Sequence, residues 1–164
     1  MTDPEIYRFR GASLADTSRL AAALAGLLQP GDVIALDGTL GAGKTAFVRA
    51  LIQALAGQDI DVPSPTFNLL LVYDFADFTL YHYDLYRLES PDDALELDID
   101  EAFDNGVSLI EWPDRLGRYL PPDHLRITIT LAGEGGGEAR LFVLAGDSRW
   151  RRRLLLLEEM LGAQ

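Results

Sequence analysis

The chain has 164 residues, 48% of them hydrophobic, and its 26 acids against 14 bases give a formal charge of −12 and a sequence pI near 4.4. That length predicts one domain, residues 1–164, able to bury about 70% of its unfolded surface, and the acidity argues against a protein whose main business is coating bare nucleic acid. Without cysteine there is no disulfide, thiolate metal site or cysteine nucleophile; the start Met1-Thr2-Asp3-Pro4-Glu5 lacks a basic, apolar leader and no apolar run nears the ~18 residues that span a bilayer, so a soluble cytoplasmic protein is expected.

Ile6 to Arg10 alternates apolar and polar residues and predicts a short edge strand. Ser13 with Asp16 resembles a capping box, and Leu14, Ala21, Leu24 and Leu28 form a helical stripe that stops before Pro30-Gly31. Thr17 on this helix is either a nucleotide contact or an ordinary surface threonine, and spacing alone favours the second.

Val33-Ile34-Ala35-Leu36 reads as a buried strand and leads into Gly38-Thr39-Leu40-Gly41-Ala42-Gly43-Lys44-Thr45, which fits G-x-x-x-x-G-K-[ST]. Phe47, Val48, Leu51, Ile52 and Leu55 then line one face of a helix, with Gly57 as its C-terminal cap. Strand, glycine loop and helix together are the context of a phosphate-binding loop. The glycines let backbone N–H groups close around a di- or triphosphate at a helix N-terminus. Gly38, Leu40, Gly41, Ala42, Gly43, Lys44, Thr45 and Ala46 are therefore the candidate phosphate-binding residues, with Lys44 reaching the terminal phosphates and Thr45 holding Mg²⁺ through its hydroxyl. Lys44 is the single lysine beside 13 arginines, which points to a need for a compact ammonium at this position.

Val62-Pro63-Ser64-Pro65-Thr66-Phe67 is stiffened by two prolines that hold Ser64 and Thr66 extended. Thr66 lies where a nucleotide switch places a γ-phosphate-sensing hydroxyl, and a plain rigid connector is an equal reading. Leu69 to Phe75 and Phe78 to Leu85 predict a hairpin joined at Ala76-Asp77, and period two sends His82, Asp84 and Tyr86 to one face. Asp84 could there orient a water at a metal or act as general base, with His82 and Tyr86 as supports; a satisfied hydrogen-bond cluster carries similar weight.

Residues Glu89 to Asp104 hold eight acids and no base, interspersed with Leu95, Leu97, Ile99 and Phe103, which predicts short helices with an acidic face, either merely solvated or a dock for a basic partner. Val107-Ser108-Leu109-Ile110-Glu111 is a second buried strand ending in a carboxylate, the form of a Walker B element, and Trp112-Pro113 stops it. Leu125 to Leu131 and Arg140 to Ala145 predict an antiparallel hairpin, the latter with Leu141, Val143 and Ala145 on its apolar face. Gly133 to Gly137 between them is no second phosphate loop, since no Lys-Ser/Thr follows. Arg149, Arg151, Arg152 and Arg153 open a C-terminal helix against its macrodipole, which hints at RNA phosphate or an acidic partner, although an exposed cationic turn is the stronger reading.

The phosphate loop, Ser64-Pro65-Thr66-Phe67, His82-Tyr83-Asp84-Leu85-Tyr86-Arg87 and Ile110-Glu111-Trp112-Pro113, in this order, resemble the signatures of the bacterial tRNA threonylcarbamoyladenosine biosynthesis ATPases, the TsaE (YjeE) family. The resemblance runs from about Thr17 to Leu131 and implies an α/β P-loop fold with a mixed parallel and antiparallel sheet flanked by helices. It also implies an ATPase using ATP and Mg²⁺ that supports turnover of the TsaB–TsaD pair as it modifies adenosine 37 of tRNAs reading ANN codons, contacting tRNA only through that complex and no membrane. In the family pattern Gly41 to Thr45 hold phosphates, Thr45 and Glu111 serve Mg²⁺, and Asp84 and Thr66 complete a hydrolytic site with Lys44. Thr17 matches a threonine near the base and Trp112 the tryptophan beside the site. Thr39 and Ala46 depart from it, standing where an acid and a hydroxyl are usual. The choice between Asp84 and Glu111 as base, and any assistance by Arg87, stay open.

Among rivals, a GTPase is disfavoured although Asp114-Arg115-Leu116-Gly117 imitates its switch, because guanine selection by N-K-x-D needs a second lysine. A small-molecule kinase would carry lid arginines where this chain has its acidic stretch. A nucleotide-gated interaction subunit with little hydrolysis is the third reading.

Overall fold

Hydrophobic patterning resolves into strands and helices in a computed structural model that describes residues 3–39, 41–133 and 137–162. In chain order these are β1 (Glu5–Gly11), α1 (Leu14–Ala25), β2 (Val33–Asp37), α2 (Lys44–Ala56), β3 (Leu70–Asp74), β4 (Thr79–Asp84), α3 (Ile99–Asn105), β5 (Val107–Glu111), β6 (Leu125–Leu131), β7 (Arg140–Gly146) and α4 (Arg151–Leu161). One sheet orders its strands β1-β7-β6-β2-β5-β4-β3. The central pairs β6/β2, β2/β5 and β5/β4 are parallel, while β1/β7, β7/β6 and β4/β3 are antiparallel. This is the mixed sheet that the sequence predicted, with β1 on one edge as expected.

The parallel centre is apolar because both faces are covered. Val33 to Leu36 and all of β5 are buried. On one face Ile34, Leu36, Leu109 and Phe142 pack with Leu20 and Leu24 of α1, Phe47 and Leu51 of α2 and Leu157 of α4. On the other, Val33, Tyr83 and Ile110 pack with Ile99 and Ala102 of α3, Ala94 and Leu116. The parallel strands thus direct their C-terminal ends toward one edge, where ligands bind in open α/β sheets.

Several local expectations change once packing is known. Leu14 is half exposed, whereas Thr17 is buried with Leu20, Ala21 and Leu24, so the covered face of α1 is turned toward α2. In β7 the buried residues are Phe142, Leu144 and Gly146 rather than Leu141, Val143 and Ala145; Phe142 meets the rings of Phe9 and Phe47, and that helix-covered face is the dry one. The acidic stretch does form short helices, a 3-10 segment Pro91–Leu97 followed by α3, with Asp92 paired to Arg118.

Most of the C-terminal arginine cluster is used internally. Arg149 pairs with Asp123 and Asp147, and Arg151 with Glu5. Arg153 forms a two-pronged bond to Asp32 at 2.5 and 3.1 Å, donates to the Leu27 carbonyl and stacks on Trp150. These contacts dock α4 and offset the unfavourable placing of cations at its N-terminus.

Because Asp32 is 9% exposed, loss of the Arg153 guanidinium leaves a nearly buried carboxylate without that counter-charge and with the Gln29 N–H at 2.7 Å as a remaining donor. Arg153→Ala is expected to lower the unfolding free energy by about 2–4 kcal/mol, and Arg152→Ala by less than about 0.5 kcal/mol. Urea denaturation of the two variants checks this; equal small losses would show that Arg153 is an ordinary surface cation.

Candidate functional site

The site is built where β2, β4 and β5 end. A Cβ on Gly38 would meet the Ile129 carbonyl at 2.8 Å, so only glycine fits beside β6 where the chain leaves β2. Gly43, the N-cap of α2, has φ +111, and a left-handed glycine is what lets the loop turn into the helix. The Ala42 N–H donates to the Thr39 carbonyl at 3.0 Å, and the Phe47 N–H to Gly43 at 3.0 Å. The helix geometry thereby leaves the amides of Lys44, Thr45 and Ala46 without intrahelical acceptors, at the positive end of the α2 dipole. Leu40, also expected in this loop, lies outside the described residues.

Lys44 is buried. Its Nζ donates to the Gly38 carbonyl at 2.7 Å and sits 3.9 Å from the Trp112 ring centroid. Burial pushes the ammonium below its ordinary pKa, while the charges of Glu111, Asp84 and Asp37 pull it back up.

Parallel register places Asp84 opposite Glu111 and Glu111 opposite Leu36, so both carboxylates arrive beside the loop. Glu111 Oε2 lies 2.7 Å from His82 Nε2, and Thr45 Oγ1 donates to Oε1 at 3.5 Å. An ionised carboxylate only accepts, which assigns the ring proton to Nε2; His82 Nδ1 is buried without a partner among the described residues. Asp84 Oδ2 accepts from Thr66 Oγ1 at 3.4 Å, and Ser64 Oγ lies 2.7 Å from that hydroxyl. A cleft of about 280 Å³ opens between Gly41, Gly43 to Ala46, the two hydroxyls, the two carboxylates and Trp112. A second hollow of about 170 Å³ lies between α1 and α2, lined by Thr17, Arg49 and Gln53; Ala46 lines both.

The proposed supports of Asp84 are thus corrected. His82 holds Glu111, not Asp84, because the parallel register sets His82 opposite Leu109, on the β5 face that ends in Glu111. Tyr86 falls beyond β4, half exposed against the Trp112 ring at 5.0 Å, and reaches Asp84 through its backbone N–H at 3.1 Å. Arg87 is exposed and stacks 4.9 Å over Phe67, which is also exposed. One residue escaped the sequence patterns: Arg140 Nε donates to the Ala42 carbonyl at 2.8 Å across 98 positions of chain, and no local motif announces so distant a contact.

Among the described residues no cluster of three or more His, Cys, Asp or Glu side chains forms a metal cage, and no helix is long and apolar enough to cross a membrane. The Thr45 hydroxyl beside Glu111 is nevertheless a hard-oxygen pair of the kind Mg²⁺ takes when phosphates and waters fill its remaining positions.

The sequence model of the threonylcarbamoyl adenosine biosynthesis protein TsaE matches residues 12–140. The chain belongs to the TsaE family. It is 43% identical over 119 residues to the Rickettsia felis tRNA threonylcarbamoyladenosine biosynthesis protein TsaE, covering 73% of this chain and 70% of that protein. The Bacillus subtilis protein of the same name is 38% identical over 154 residues, covering 93% and 92%. The crystal structure of Bacillus subtilis YdiB superposes with a TM-score of 0.75 at 29% identity over 98% of this chain and 97% of that one. Of the two departures from the TsaE pattern, Thr39 is exposed and serves the loop through its carbonyl, and Ala46 stands where the two hollows meet.

The His82–Glu111 contact has a measurable consequence. His82→Leu is expected to cost about 1–3 kcal/mol of stability by stripping Glu111 of its donor, whereas His82→Gln, which can return an amide N–H near the Nε2 position, recovers more than half. Denaturant unfolding of both variants decides it, and indistinguishable losses would rule the bond out as the cause.

Proposed function

We propose that this chain is a Mg²⁺-dependent ATPase that acts in tRNA threonylcarbamoyladenosine biosynthesis with the TsaB–TsaD pair, supporting turnover of that complex rather than performing the transfer. The observation that carries the reading is the convergence of Lys44, Thr45, Thr66, Asp84 and Glu111 on one cleft at the mouth of a glycine loop. Family membership supports the pathway, and the printed names of the relatives support the modified nucleoside.

The loop amides and Lys44 bind the phosphates, and the desolvated ammonium gains most from an incoming anion. Thr45 and Glu111 would hold Mg²⁺, which supplies charge neutralisation to the phosphoryl oxygens. Bonded to Thr66 on the proline-stiffened loop, Asp84 orients the attacking water and takes its proton. Thr17 with the α1–α2 hollow receives the base side of the nucleotide, and Trp112 shields Lys44 from solvent. Among the described residues no arginine lines the cleft, and hydrolysis by the chain alone is expected to be slow, since such a group is worth ~10³–10⁵ in related enzymes.

A second reading, in which nucleotide gates docking with little hydrolysis, draws on Phe67, 83% exposed and next in sequence to Thr66. A loop that senses phosphate would thereby move an exposed aromatic side chain.

The nucleoside content of tRNA in depleted cells, complemented with wild type, Lys44→Ala or Glu111→Gln, separates these readings. Restoration by wild type alone, with phosphate released and no phosphorylated acceptor, is the expected result, and Glu111→Gln should retain ADP binding while losing at least ~10²-fold in hydrolysis. Full restoration by Glu111→Gln would favour the gating reading. A nucleoside level indifferent to depletion would overturn the proposed pathway role.

A further inference from the structure

The Ala42–Gly43 peptide lies at the turn into α2, and its carbonyl is the one that Arg140 Nε holds at 2.8 Å. The same guanidinium is fixed by donations from Nη1 to the carbonyls of Gly137 at 2.5 Å and Ala139 at 3.0 Å. A Cβ on Gly43 would come within 3.4 Å of Arg140 Nε, so the side chain lies directly against the loop. Backbone carbonyls take these hydrogens, so the contact brings a cation to the loop without a counter-charge in it.

A planar trans peptide points its C=O and its N–H in opposite directions, and no described peptide bond is cis. Holding the Ala42 carbonyl toward Arg140 therefore turns the Gly43 N–H away from it. Gly43 lines the cleft and Arg140 does not. The Gly43 N–H has no acceptor among the described residues, whereas the preceding amide of Ala42 is already used by Thr39. The Gly43 amide is thus the one of the pair that is open to a phosphate oxygen. Without the anchor the peptide can flip, since glycine tolerates both orientations.

We propose that Arg140 is a positioning residue for the phosphate loop, fixing the Ala42–Gly43 peptide so that the Gly43 N–H faces the diphosphate of a bound nucleotide. The inference rests on the nucleotide-binding reading above. It makes β7, whose first residue is the last one the family match covers, part of the binding apparatus. Arginine suits the task better than lysine, because a planar fork can satisfy several fixed carbonyls at once.

The experiment compares ADP binding to the full-length wild type, Arg140→Met and Arg140→Lys by calorimetry, and follows the Gly43 amide proton by NMR at saturating ADP with the Thr45 amide as internal reference. Expected are a ~10-fold weaker affinity for Arg140→Met, a smaller loss for Arg140→Lys, and in both a collapse of the ADP-induced Gly43 shift while that of Thr45 persists. Wild-type affinity in Arg140→Met overturns the proposal, as does weakened binding with an unchanged Gly43 shift, which would mark a purely electrostatic or stabilising role. If Arg140→Met does not fold, the Gly43 shift in Arg140→Lys decides in the same way. Failure of the wild type to bind ADP would instead bring down the nucleotide reading itself, and this proposal with it.

Discussion

A carboxylate that is 3% exposed must be paired, and Glu111 is such a group. Its partners come from two other elements, His82 on β4 and Thr45 on α2. Satisfying it therefore fixes the register of β4 against β5 and the approach of the phosphate loop to both. Asp84 then stands opposite Glu111 through the same register, and the Thr66 loop closes over Asp84. The acidic half of the site follows from burying one charge at the end of a parallel strand.

Lys44 supplies the opposing half. Its ammonium is desolvated under Trp112, yet its direct hydrogen bond goes to a carbonyl rather than a carboxylate. Glu111, Asp84 and Asp37 act on it through space. An incoming polyphosphate would meet a cation and a row of unused amides, with hard oxygens across the cleft for a divalent ion. The arrangement offers anion binding and metal-assisted phosphoryl chemistry from the same few residues.

Arginine does different work in this chain. Arg153 clamps α4 to Asp32, Arg126 pairs with Asp37 at the end of β2, and Arg140 braces the phosphate loop from β7. Each ties a neighbouring helix or strand to β2, the residue before it or the loop that follows it. A planar, always-charged fork tolerates such half-buried bracing, whereas Lys44, the cation among the described residues that line the cleft, is a slender ammonium.

The glycine loop, its flanking strand and helix, and the carboxylate ending β5 were legible in the sequence because each depends on residues contiguous in the chain. Backbone sterics require glycine at Gly43, and helix geometry exposes the amides after it. Family signatures in fixed order added the mixed sheet. Which carboxylate His82 would serve was not legible, since period two gives a strand's face but not its neighbour's. The dry face of β7 was equally hidden, because both of its faces are apolar and only the helix that covers one distinguishes them. The buried position of Thr17 and the uses of Arg140 and Arg153 were decided by tertiary structure alone. Those contacts join residues far apart in the chain, up to 126 positions for Arg153 and the Leu27 carbonyl, and no local pattern encodes which distant group packing will bring to a given side chain.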